Sequence, residues 1–170
     1  MSRNVRLGCL LLLLACTVGC DQVSKHFART TLSQSGPVII AGGFAEFNLA
    51  ENPGSFLSLG ALLPEGARFA VYTLGVGVGL VLLSIYLTGR AEHRVVHFAG
   101  LSLVLAGGIS NLLDRIFHSG LVTDFVIIRI GPLHTGVFNV ADMLIMIGII
   151  AAVCSFPRKQ VASSEPGQTQ

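Results

Sequence analysis

The sequence predicts an all-α membrane protein of four transmembrane helices with a small extracytoplasmic β-cradle, and three observations predict it. Charged residues make up 12% of the chain, about half the roughly 25% usual in soluble domains. Apolar stretches near the roughly 20 residues that a bilayer-crossing helix needs occur at 5–23, 69–87, 98–117 and 137–156. The segment between the first two has a different texture, with short β-prone runs broken by glycine and proline. A length of 170 residues suits one soluble domain, but such a domain could not hide this much apolar surface. Residues 1–160 therefore read as one membrane-embedded domain, and 161–170 as a short, polar, disordered cytoplasmic tail.

The first element opens with Arg3 and Arg6 before a leucine-rich run, which is also the pattern of a secretory signal peptide. Leu13-Leu14-Ala15-Cys16 even resembles the cleavage box of a bacterial lipoprotein. The polar cluster Asp21-Gln22-Val23-Ser24-Lys25 follows at once, continues a helical register and needs an anchored helix to hold it at a fixed depth. Segment one is therefore read as a retained helix. Cys9, Cys16, Cys20 and Cys154 all fall inside the spans without metal-ligand spacing. They read as small buried apolar residues.

Residues 30–66 form a long external segment. Val38–Ile40 and 44–49 are strand candidates separated by Gly42-Gly43, and Asn52-Pro53-Gly54 is a turn signal. A small sheet lying on the outer membrane surface is the expected form. Span two carries Gly75, Gly77 and Gly79, and span three Gly107 and Gly108, which read as points of close helix packing. A further strand candidate, Val122–Ile130, precedes span four and is ended by Gly131-Pro132.

The net charge of +2 and the lack of any basic run exclude a nucleic-acid partner. The distribution of charge says more. Arg3 and Arg6 precede span one, Arg90 and Arg94 join spans two and three, and Arg158 and Lys159 follow span four. Cytoplasmic loops are rich in Lys and Arg, so both termini and the middle loop are expected in the cytoplasm. Lys25, Arg29, Arg68, Arg115 and Arg129 fall on the other side, over longer loops.

That topology gathers the four aspartates at one leaflet. Asp21 ends span one, Asp114 ends span three, Asp142 lies about one turn inside span four, and Asp124 sits in the segment joining the last two. Ionisable groups at a membrane border are costly unless paired and are functional candidates. The plain structural reading is an interface ion pair for Asp21 with Lys25, spaced i, i+4, and for Asp114 with Arg115. Asn139 can be the N-cap of span four, which places Asp142 in the first turn, where the helix dipole favours a carboxylate. Capping alone does not explain an acid directly before the apolar run 143–153. Asn111 and Asp114 share a face at the end of span three, so both Asn/Asp pairs can point into one polar pocket. Two carboxylates close together in a dry site share a proton, the working state of an aspartyl protease. The serines and cysteines lack a partnered His at a shared depth. His26, His118 and His134 show no ligand spacing.

Five motifs stand in order: Asp21-Gln22-x-x-Lys25, Asn52-x-Gly54, Gly107-Gly108-Ile109-Ser110-Asn111-Leu112-Leu113-Asp114-Arg115, Val122-x-Asp124-Phe125 and Phe138-Asn139-x-Ala141-Asp142. The set resembles the bacterial lipoprotein signal peptidase (signal peptidase II) family and covers nearly the whole chain short of its tail. The resemblance implies an aspartic endopeptidase of the bacterial inner membrane. It would cut diacylglyceryl-modified prolipoproteins before the lipidated cysteine at the outer leaflet. It implies Asp124 and Asp142 as the catalytic pair, and Asp21, Lys25, Asn52, Gly54, Asn111, Asp114, Arg115 and Asn139 as residues lining or bracing the pocket. It also implies no metal or cofactor, inhibition by the cyclic peptide globomycin, and lipid-modified prolipoproteins as partners; membrane lipids are the other expected partners, and a monomer is expected. One departure stands out: the family pattern has two small residues between the Gly and an aromatic, whereas only Ser55 separates Gly54 from Phe56.

Two other readings compete. A proton-coupled carrier would use the aspartates as a relay, but would spread them through the membrane depth. A membrane assembly protein would use polar residues to hold helices together, but leaves Asp124, outside any span, without a role.

Overall fold

The structure, a computed structural model, describes residues 2–54, 60, 62–89 and 94–155. Ser55 and Phe56 of the shortened motif, Arg90, Arg158, Lys159 and the tail 161–170 lie outside the described residues. Among the described residues, three helices are long and apolar enough to cross a membrane: α1 (Arg3–Ser35), the continuous helix Glu65–Thr88, and α4 (Val95–Phe117). The second is built from α2 (Glu65–Arg68), a π-helical turn (Phe69–Gly75) and α3 (Val76–Thr88). The expected fourth span appears as a shorter apolar helix of 15 residues, α5 (Val140–Cys154). Many large apolar side chains point outward, among them Leu11, Leu12, Val81, Leu82, Ile85 and Ile150. A soluble fold buries such groups, whereas a hydrocarbon solvent accepts them.

Helix α1 runs on to Ser35, well beyond the expected end at residue 23. At about 1.5 Å per residue it is about 50 Å long, against a hydrocarbon layer of about 30 Å. Its buried residues are Leu10, Thr17, Asp21, Lys25, Ala28 and Leu32, spaced by 7, 4, 4, 3 and 4 positions. That spacing makes one stripe along the helix, apolar at its ends and ionic in the middle. Gly36, at φ 72°, closes the helix by returning its N–H to Leu32 O. Residues ahead of Cys16 are part of the bundle: Leu10 packs with Leu87, Phe98 and Leu105, and Arg6 donates to Gly89 O and lies over the Phe98 ring.

Helices α4 and α5 meet backbone to backbone. A Cβ on Gly100 would lie 2.6 Å from Gly148 O, and one on Gly148 2.5 Å from Gly100 O. Gly107 is equally closed, by Ala141 O at 2.7 Å. Of the expected packing glycines, Gly107 meets α5 and Gly108 meets Leu80, but Gly79 faces open space and Gly77 makes only ordinary contact with Leu112. The span-two glycines thus do not draw helices together. The cysteines correct a second expectation: all four are exposed rather than buried, because a small apolar thiol is as well solvated by lipid as by a core.

At one end of the bundle sits a four-stranded antiparallel sheet, ordered β1 (Val38–Ile40), β2 (Ala45–Asn52), β3 (Val122–Ile130), β4 (Leu133–His134). Strands β1 and β3 have the bounds the sequence predicts. Strand β4 follows the Gly131-Pro132 turn, and Phe138 adds a single bridge to Val126. Ala28 and Leu32 of α1 pack with Phe125 beneath the sheet. Between Phe47↔Val126 and Ala50↔Asp124 strand β2 advances three residues and β3 two, so a β-bulge lies directly beside Asp124. Bulges bend the strand that carries the extra residue and tighten its twist; here that strand is β2, paired to the stretch of β3 that carries Asp124.

The candidate active site

All four aspartates enter one hydrogen-bonded network where α1, α4, α5 and the sheet converge, and they fall into two kinds. Asp21 and Asp114 are the first kind, both fully buried. Lys25 Nζ stands between them, 2.7 Å from Asp21 Oδ2 and 3.1 Å from Asp114 Oδ2, and donates its third bond to Asn111 Oδ1 at 2.8 Å. An ammonium has three donors, so Lys25 is saturated. Asp21 also accepts from Ser110 Oγ (2.7 Å) and from Ala141 N at the start of α5 (2.7 Å). Asp114 accepts from Thr123 N (3.1 Å), Gln22 Nε2 (3.1 Å) and Arg29 Nη2 (3.3 Å). With these donors and two cations both carboxylates are fully partnered, and they tie α1, α4, α5 and β3 together.

Asp124 and Asp142 are the second kind: among the described residues neither forms an ion pair. Every donor to them is a neutral amide. Asp124, 2% exposed, accepts from Asn52 Nδ2 at 2.9 Å and Asn139 Nδ2 at 2.7 Å. Asp142 accepts from Asn111 Nδ2 at 2.9 Å and from Asn139 N at 3.3 Å. Each asparagine is turned so that its NH₂ faces the acids, because its oxygen is already claimed. Asn52 Oδ1 accepts from Gly54 N (2.9 Å), Asn139 Oδ1 from Asp142 N (2.9 Å), and Asn111 Oδ1 from Lys25. Asn139 is the expected N-cap, and with Asp142 it completes a reciprocal capping box. Asn139 thus joins the two carboxylates through a single residue, its side-chain Nδ2 donating to Asp124 and its backbone N to Asp142. Burial pushes the Asp124 carboxyl up to about 6; the Asn52 and Asn139 amides pull it down, and the neighbouring Asp142 charge pushes it further up.

The expected pairing of Asp114 with Arg115 is not formed. Asp114 pairs with Lys25 and Arg29, while Arg115 points the other way, its Nη2 donating to Gly54 O at 2.7 Å. Adjacent helical residues diverge by about 100°, which sends the two side chains apart. Asn52 and Gly54 do reach the site, one on Asp124 and one under Arg115. Four network members went unassigned in the sequence: Gln22, Arg29, Ser110 and Thr123. Arg29 had a visible signal, since Asp21, Lys25 and Arg29 recur every four residues on one helix face.

Two openings flank the network. A groove of about 1030 Å³ between α3 and α4 is walled by Leu74, Val78, Leu112 and Ile116, with Pro53 and Arg115 at its polar end. A smaller one of about 460 Å³ runs along α5 from Asp142 past Met143 and Met146. Each joins a polar mouth to apolar walls, a shape that suits an amphipathic ligand.

Known proteins resemble this arrangement. Residues 13–157 match the family model described as signal peptidase (SPase) II. The lipoprotein signal peptidase of Desulforapulum autotrophicum is 35% identical over 137 residues, 80% of this chain and 83% of that protein. That of Syntrophus aciditrophicus is 37% identical over 149 residues, 85% and 89% of the two chains. A solved structure described as a bacterial membrane enzyme superposes with a TM-score of 0.75 at 22% identity, over 96% of this chain and 95% of its own; at that identity the likeness speaks for the fold. On the strength of the family model and these relatives, the chain belongs to the signal peptidase II family of membrane peptidases.

Proposed function

We propose that this peptidase is an aspartic endopeptidase that removes the signal peptide from diacylglyceryl-modified bacterial prolipoproteins, cutting before the lipidated cysteine. The observation that carries the reading is the contrast within the network: two acids neutralised by cations, and two joined through Asn139 with only neutral donors. A pair of that second kind cannot ionise twice cheaply and keeps one proton between its members. Asp142 sits in the first turn of α5, where the helix dipole favours negative charge. Asp124, pushed up to about 6, is the better holder of the proton.

In the proposed reaction Asp142 takes a proton from water, and the resulting hydroxide adds to the scissile carbonyl carbon. Asp124 gives its proton to the carbonyl oxygen. Collapse of the tetrahedral adduct breaks the C–N bond, the proton on Asp142 passes to the departing cysteine amine, and the adduct's hydroxyl proton returns to Asp124. Asp21, Lys25 and Asp114 brace the elements that carry the pair. Asn52, Asn111 and Asn139 orient it, and Gly54 and Arg115 line the groove. The proposal includes four spans in the bacterial cytoplasmic membrane, both termini in the cytoplasm, and the acids at the outer leaflet.

The test uses purified full-length protein in detergent with a prolipoprotein precursor, with and without its diacylglyceryl group, in the presence of a chelator. The lipidated precursor should release its signal peptide and the unmodified one should be cut far more slowly. Equal rates on both, or no cleavage of either, would overturn the substrate assignment.

A further inference from the structure

Arg115 is a buried cation on which Asp142 and Asp124 act without a direct ion pair. A buried charge costs several kcal/mol unless a counterion offsets it. Arg115 is 9% exposed, yet among the described residues it forms no ion pair. Its Nη2 donates to Gly54 O at 2.7 Å, its Nη1 reaches Asn111 O at 3.4 Å, and its Nε has no partner among the described residues. What covers the guanidinium face is the Tyr72 ring, 5.8 Å from Cζ to centroid, within the roughly 6 Å of a cation–π contact.

Tyr72 lies in the π-helical turn Phe69–Gly75. A π turn takes one residue more than an α turn, so residues ahead of it are rotated relative to the face that α3 presents to α4. The ring also presses on the chain after the Asn52–Gly54 turn: a side chain on Gly60 would collide with the Tyr72 hydroxyl.

We propose that Tyr72 is a positioning residue for hydrolysis, its ring holding Arg115 against the Gly54 carbonyl so that the Asn52–Gly54 turn keeps the Asn52 amide on Asp124. The chain of contacts is continuous: Tyr72 ring to Arg115, Arg115 Nη2 to Gly54 O, Gly54 N to Asn52 Oδ1, and Asn52 Nδ2 to Asp124 Oδ2. The inference rests on the reading of Asp124 and Asp142 as the catalytic pair. The Asn52 amide favours the ionised form of Asp124, and the other charged groups acting on it are Asp142 from α5, Lys25 from α1 and Arg115 from α4. Loosening Asn52 therefore makes Asp124 hold its proton to higher pH and disturbs its placement.

Full-length Tyr72→Leu, Tyr72→Met and Tyr72→Phe are assayed on the diacylglyceryl precursor across pH. The ringless variants should lose kcat by about tenfold, the scale of a desolvated cation–π contact. The alkaline limb of kcat/KM against pH should move to higher pH. Tyr72→Phe should restore both, since the ring face makes the contact with Arg115. Tyr72→Leu should add no further loss in an Arg115→Lys background, because the two act through one path. Wild-type kcat and pH profile in either ringless variant would overturn the proposal. So would activity falling only in proportion to folded protein with the limb unmoved, or Tyr72→Phe as impaired as Tyr72→Leu. A wild-type enzyme that fails to cut the precursor would instead overturn the function proposed above.

Discussion

A carboxylate in a dry site stays reactive when no cation pairs with it directly, and that separates Asp124 and Asp142 from Asp21 and Asp114. Asp124→Asn and Asp142→Asn keep shape and some hydrogen bonds but lose the proton chemistry. Each should cut kcat by about 10²–10⁴-fold, and the double variant should be little worse than either single one, with insertion into the membrane unchanged. Asp21→Asn and Asp114→Asn should act on folding, since each leaves Lys25, fully buried, short of a counterion. Removing one partner of a buried pair costs about 3–5 kcal/mol, read as a lower Tm in detergent. Near-normal turnover in Asp124→Asn would sink the pair and leave Asp114 the better partner for Asp142. Asp124 also makes a pH prediction with a definite sign. Its folded carboxyl holds the proton to about pH 6 against an ordinary 3.8, so the folded state binds the proton more tightly. That contribution to stability is complete below about pH 4 and is lost as pH rises through about 6. Wild-type Tm should therefore fall over that interval relative to Asp124→Asn; parallel curves would show that Asp124 titrates normally.

At the scale of elements, the site depends on how closely α4 approaches α5, since one carries Asn111 and the other Asp142. That distance is set by Gly100 and Gly148, where each backbone oxygen occupies the space a Cβ would need on the other helix. Gly148→Ala must push backbone rather than a flexible side chain. Overpacking of this kind costs about 1–3 kcal/mol, and the Asn111–Asp142 bond of 2.9 Å would lengthen, lowering both Tm and kcat. Gly79→Ala, which meets open space, should leave both unchanged; equal effects from the two would discount the close approach. The elements differ in how legible they were. Strand β3 and the Asn139 cap could be read because their signals are local: a β-branched run ended by Gly-Pro, and an Asn three residues before an Asp. The Asp21 and Lys25 positions could be read because polar residues at the end of an apolar span stand out. The continuation of α1 to Ser35 was hidden, since Arg29 and Thr30 resemble loop residues once the apolar run stops. The bulge beside Asp124, the π turn at Tyr72 and the Gly100–Gly148 contact arise only from pairing with another element. No local pattern marks them.

For the whole molecule, the direction of each helix and the sign of charge at its ends lead to one arrangement. Asp114 and Arg115 lie in the last turn of α4, Asp142 in the first turn of α5, and Asp21 a little past the middle of α1. Their mutual hydrogen bonds require that α4 run toward the sheet, α5 away from it and α1 toward it. Arg3 and Arg6 at the start of α1 and Arg94 at the start of α4 therefore stand at the opposite end from the acids. Lys and Arg concentrate on the cytoplasmic side of membrane proteins, which supports the proposed placement of the acids outside, where a secreted lipoprotein precursor would present its cleavage site. Reporter fusions after Thr88 should therefore report the cytoplasm, and fusions near Gly36 and Gly131 the outside. The contacts between helices make the three fusions dependent on one another: if Gly36 is outside, Gly131 must be too, because β2 and β3 pair from Ala45↔Ile128 to Asn52↔Val122. A cytoplasmic signal from both would reverse the whole bundle and remove the acids from the compartment their proposed substrate reaches. Opposite signals from the two would mean that the sheet joining them does not form in the membrane.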